Sequence, residues 1–140
     1  MNINVGRVIL GGLVAGVVAN ALDFVNNAYL IGADMAANAQ RLNLDPAVTN
    51  GTGVMVTWIV VDFLFGFLLV FAYAAMRPRF GPGPKTAIVA GVTLDLAVTV
   101  VLYGFMRTGF FTELLFIKAS FFALVITIVA SVAGAAVYKE

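Results

Sequence analysis

The stretch VMVTWIVVDFLFGFLLVFAYAAM, Val54–Met76, decides the fold. Asp62 is its only charged residue, and the rest is dominated by Val, Leu, Phe and Ala. A helix needs about 20 apolar residues to cross the hydrocarbon core of a bilayer. Working outward, three more stretches meet that length, at Val5–Ile31, Thr86–Met106 and Glu113–Val137. Barrel strands are unsuited to such runs, because they are about ten residues of strict alternation. The expected fold is therefore all-α, an integral membrane four-helix bundle in which residues 1–140 form one transmembrane domain.

Composition points the same way. The chain is 62% hydrophobic and 11% charged, against roughly 25% charged residues in soluble domains, and its mean hydropathy is +1.04. The lipid bilayer is the first partner. A formal net charge of +1 gives nucleic acid no electrostatic footprint. The absence of Cys and His removes thiolate metal sites, the commonest metal ligand and the usual neutral-pH base. No metal-ligand set and no catalytic constellation is legible, so an enzyme is not expected. Arg7, the apolar run from Val8 and the Ala19–Ala21 triplet imitate a signal peptide. The run continues well past Ala21, however, and reads as a first transmembrane helix.

The connections set the topology. RPRFGPGPK, Arg77–Lys85, holds Arg77, Arg79 and Lys85 among three prolines and two glycines. It reads as a tight basic loop, since proline stops helices and glycine supplies turn geometry. Lys and Arg accumulate in cytoplasmic loops. With four spans, Arg7 and Lys139 share this side, which places both termini and the loop 77–85 in the cytoplasm. The opposite side carries Asp34, Arg41, Asp45, Arg107 and Glu113, with no cationic surplus. There the external loop 32–53 is expected to hold a short interfacial helix, N-capped by Asp34 and presenting Met35, Ala39 and Leu42 on one face, with Asp45-Pro46 ending it. FGPGPKTA is not a phosphate-binding loop, because Pro82 and Pro84 remove backbone donors that such a loop requires. The sequon Asn50–Thr52 is too short a pattern to carry weight.

LVAGVVAN (Leu13–Asn20) matches IVAGVTLD (Ile88–Asp95), which sets Asn20 against Asp95. The second and fourth spans both end in small residues, an aromatic and a cation. These matches raise a tandem repeat of two helical hairpins about an axis along the membrane normal.

Polar residues inside the spans are the candidate site. Gly12, Gly16, Asn20, Asp23 and Asn27 recur at steps of three or four on one helical face, with Asn26 off it. Gly12 and Gly16 form a small-xxx-small pair that lets another backbone approach. Asp62, Asp95 and Lys118 lie in the other three spans. At 1.5 Å per residue, Asp23 and Asp62 sit at similar depth, roughly 12 Å from the external ends of their helices, and Lys118 is a little shallower. Three acids in lipid would cost up to roughly 10 kcal/mol. They are expected to face inward, with Asp23 and Asp62 near Lys118. Two roles stay open for the cluster Asn20, Asp23, Asn27, Asp62, Asp95 and Lys118: an interhelical clasp, or a proton or cation pathway.

The sequence assigns no cofactor. The chain has 12 phenylalanines, and those of DFLFGFLLVFAY, spread around the helix of Val54–Met76, are lipid-facing bulk or a greasy surface for lipid, quinone, carotenoid or chlorin. Trp58, Tyr29, Tyr73, Tyr103 and Tyr138 read as interfacial anchors. GRVILGGLVAGVVAN (Gly6–Asn20) and AYAAMRPRFGPGPKTAIVAG (Ala72–Gly91) resemble an uncharacterised family of small bacterial four-helix integral membrane proteins. That resemblance implies four spans in a bacterial inner membrane and carries no activity. The expected function is a non-catalytic accessory subunit among other membrane subunits, respiratory or photosynthetic. The alternative is a small proton- or cation-coupled transporter using Asp23, Asp62 and Asp95.

Overall fold

The computed structural model describes residues 3–138, so Lys139, used above for topology, lies outside the described residues. Every regular element among them is helical. α1 (Val5–Val25) is N-capped by Asn4, whose side chain accepts from the Arg7 amide at 3.1 Å. α2 (Gly32–Arg41), α3 (Pro46–Thr49), α4 (Thr52–Phe80), α5 (Pro84–Arg107) and α6 (Glu113–Val137) follow. Four helical rods are long and apolar enough to cross a membrane: Val5–Arg41, Pro46–Phe80, Pro84–Arg107 and Glu113–Val137. The chain is thus a helical bundle of the multi-pass membrane type.

The first rod differs from expectation. Asp34 does not start a separate interfacial helix. A wider π-turn over Asn26–Ile31 joins α1 to α2 without a break. Gly32 permits this, because a Cβ there would collide with the Asn27 carbonyl oxygen. Asn43, with φ +52°, turns the chain after α2. Asp45-Pro46 then begins a helix instead of merely ending one: Asp45 Oδ1 accepts from Ala47 N at 2.8 Å, and Pro46 fills the first helical position.

The expected loop 77–85 also contracts. α4 continues through Pro78 to Phe80, and only residues 81–83 separate it from α5. Pro78 lies within the last turn, where it lacks the N–H that would donate to the Ala74 carbonyl, so one rung of the ladder is lost. Arg77 and Arg79 therefore occupy the C-terminal turn of α4, where the helix dipole favours cations. Lys85 sits in the first turn of α5, beside Pro84. Gly81 and Gly83, with φ +81° and +121°, make the reversal.

α1 packs between α4 and α6. On one face, Gly12 and Gly16 meet α4, and a Cβ added at Gly66 would lie 2.6 Å from the Gly16 nitrogen. On another, Gly11 meets Gly134, where an added Cβ would lie 2.7 Å from the Gly134 carbonyl oxygen. Such contacts bring backbones together and gain dispersion, the main attraction available between helices in lipid. Ala15, Leu69, Val70, Ala90 and Ala130 fill the centre with no exposed area.

Tyr73 and Tyr138 close the end that holds residues 3 and 138. They are not interfacial anchors, since each is only 3% exposed. The Tyr138 hydroxyl accepts from Asn4 N at 3.2 Å and the Tyr73 hydroxyl from Gly83 N at 3.1 Å. Each thereby satisfies an amide at the start of α1 or α5. The two rings meet edge-on at 5.9 Å, with the Arg77 guanidinium 5.9 Å from one and 5.3 Å from the other. Trp58, Tyr29 and Tyr103 remain exposed.

Candidate functional site

The small-residue stripe of α1 turns polar in its second half, and α4 answers it. Asn20 Nδ2 donates to its own helix at Gly16 O (2.9 Å) and across to Ile59 O on α4 (3.3 Å). One turn further along α1, the Asp23 carboxyl is in hydrogen-bonding contact with Asp62 of α4 and with the side chain of Asn26. Two acids from adjacent helices thus meet face to face at the seam that Gly12 and Gly16 begin.

Asn26 and Asn27 exchange the places expected of them. Asn26 is buried, at 5% exposure, and its Oδ1 has no hydrogen-bond partner. Asn27 is exposed and folds back, donating from Nδ2 to Asp23 O at 3.0 Å. A stripe drawn from Asp23 by a step of four selects Asn27. The seven-residue step Gly12–Ala19–Asn26, all buried, follows the left-handed bundle register and selects Asn26.

Lys118 does not join the acids. Its Nζ pairs with Asp34 Oδ2 at 2.7 Å, with side chains 40% and 30% exposed. The reason lies in the long lysine stem, which lets the ammonium reach Asp34 on α2. The pair ties α6 to α2. Asn38 and Arg41 tie α2 to the α5–α6 turn. Asn38 Nδ2 donates to Phe110 O at 3.0 Å, and Arg41 bridges Asn38 Oδ1 (2.9 Å) and Gly109 O (2.8 Å).

Asp95 is a separate feature. It is 5% exposed at the α5–α6 seam, held by the hydroxyls of Thr99 on its own helix and Thr127 across from it. Of the six residues expected to cluster, Asn20, Asp23 and Asp62 come together, with Asn26 in place of Asn27. Asp95 and Lys118 stand apart. Phe63 and Phe67, expected as lipid-facing bulk, cover Gly16 and Gly12.

Above the acids, α2, α3, the start of α4 and the α5–α6 turn enclose a groove of about 750 Å³. Asn27, Met35, Trp58 and Phe110 line it. Asn27 and Trp58 are each four residues from an acid, Asp23 and Asp62 respectively, so the groove floor lies about one helical turn from the pair. Among the described residues no group of three or more His, Cys, Asp or Glu gathers as a metal site. Compared with family models, curated proteins and solved structures, the chain gives no match.

Proposed function

We propose that this chain is a non-catalytic accessory component of a larger bacterial inner-membrane assembly, respiratory or photosynthetic, oriented with both termini and the turn at 81–83 in the cytoplasm. The observation that carries the reading is the filled centre of the bundle toward the terminal end. Gly11, Gly12, Gly16, Gly66 and Gly134 bring three helices into backbone contact, around Leu69 and Val70 at zero exposure. A centre fixed in this way suits a part that holds shape among neighbours. Long apolar faces remain for lipid or partner helices, including Leu64, Leu68 and Phe71 of α4 and Ile117 and Phe121 of α6.

A tandem repeat of two hairpins belongs to the same reading. A shift of 75 residues carries Gly11, Gly12, Ala15 and Gly16 onto Thr86, Ala87, Ala90 and Gly91, and all eight are buried. A shift of 65 carries Gly66, Leu69, Val70 and Tyr73 onto Ser131, Gly134, Ala135 and Tyr138, again all buried. Asn20 then corresponds to Asp95.

The second reading, a small proton- or cation-coupled transporter, is favoured by the contact between Asp23 and Asp62. Native mass spectrometry after mild detergent extraction separates the two. Co-purification with other membrane chains is expected. Release of the chain alone or as a homodimer, together with pH-driven uptake in proteoliposomes that Asp23→Asn abolishes, would favour the transporter.

A further inference from the structure

Three oxygen-bearing side chains converge where the α1–α4 seam leaves its glycines. The carboxyls of Asp23 and Asp62 touch. In a medium of low dielectric two adjacent carboxylates cannot both carry charge uncompensated. Each placement of one compensating positive charge satisfies the geometry: a proton shared between the two, or a small ion held by both. Asn26 supplies an independent observation. Its amide nitrogen side contacts Asp23, while Oδ1, on the same carbon, is an acceptor buried at 5% exposure with no partner. A buried acceptor without a donor costs about 1–3 kcal/mol, a penalty that a hard cation would remove. Oxygen ligands of this kind suit hard cations. A π-turn begins at Asn26 itself, and such turns occur often at functional sites.

An opening lies near the site on one side. The groove of about 750 Å³ ends at Asn27 and Trp58, one turn from Asp23 and Asp62. Asn27 is bound to the Asp23 carbonyl. Toward the other end, the seam is closed by Gly12, Gly16 and Gly66. Lys118 of α6 is joined to Asp34 of α2, and not to the pair. Neither neutralises the acids.

We propose that Asp23, Asp62 and the Asn26 carbonyl form a binding site for one hard monovalent cation, sodium or a proton, loaded from the groove beneath α2 and α3. The proposal stands whether or not the chain joins a larger assembly, because it concerns occupancy of the isolated protein.

The test is thermal unfolding of the purified full chain in mild detergent, in sodium chloride and in choline chloride, across pH 5 to 9. If sodium is the occupant, the midpoint rises saturably with sodium by several degrees at alkaline pH, as ligand linkage requires. If a proton is the occupant, the midpoint falls as pH rises, equally in both salts. Asp62→Asn and Asp23→Asn should each remove the sodium dependence, and the share of the pH dependence that the pair contributes, while keeping the fold by helical circular dichroism. Asp95→Asn, at the other seam, should preserve it. A midpoint indifferent to both sodium and pH in the unaltered protein would overturn the proposal. So would loss of the dependence in Asp95→Asn as complete as in Asp62→Asn.

Discussion

The hairpin of α1 and α4 and the hairpin of α5 and α6 solve the same packing problem with different tolerance. In the first, Gly12 and Gly16 lie so close to α4 that added Cβ atoms would strike the Phe67 and Phe63 rings and lie 2.9 Å from their Cα atoms. In the second, Gly91 faces Ser131, and an added Cβ would lie 3.2 Å from the Ser131 Cβ. Ser131 also donates from Oγ to Ala87 O at 2.7 Å. The polar groups diverge in parallel. The tighter seam ends in two acids in contact, whereas the looser one ends in an acid held by two hydroxyls. Where backbones touch there is no room for side-chain bonds, so polar chemistry is displaced beyond the glycines. Where a serine fits, it enters the seam itself.

The sharpest way to break this comparison is a matched pair of substitutions. Gly16→Ala should destabilise by about 3 kcal/mol, because neither Phe63 nor the α4 backbone can yield, whereas Gly91→Ala should cost about 1 kcal/mol. Unfolding of both variants in detergent measures the gap. Equal costs would mean that the two seams are equally close. Next in size are Tyr73→Phe and Tyr138→Phe. Each frees one part-buried backbone amide at the start of a helix, for about 1 kcal/mol, and the two losses should match. An effect confined to one tyrosine would break the correspondence at the terminal end. Ser131→Ala should cost about 0.6 kcal/mol, the usual worth of an interhelical hydrogen bond in lipid. The smallest effect belongs to Lys118→Met. A partly exposed ion pair contributes about 0–1 kcal/mol, so stability should barely move while proteolysis within residues 32–51 increases as α2 loses its tie to α6.

Much of this arrangement was legible in the residues. Span length and apolarity identify the four long helices, since bilayer thickness leaves few alternatives. The spacing of Gly12 and Gly16 announces a close helix contact. What was not legible depended on register and reach. Asn26 turns inward because the bundle follows a seven-residue step, and a step of four drawn from Asp23 picks its neighbour. Lys118 escapes its expected partners because a long flexible stem chooses its own depth. Tyr73 and Tyr138 resemble interfacial tyrosines by position along their spans. Only the fold brings the first amides of α1 and α5 to their hydroxyls. Pro78 reads as a stop, yet α4 runs two residues beyond it despite the hydrogen bond it removes.

Pairing of Asp23 with Asp62, and not of either with Lys118, is the central claim. The chain contains no cysteine, so paired cysteines report on it cleanly. Asp23→Cys with Asp62→Cys should cross-link α1 to α4 under mild oxidation or with a short bis-thiol reagent. Asp62→Cys with Lys118→Cys should not. Cross-linking of the second pair in preference to the first would contradict the account.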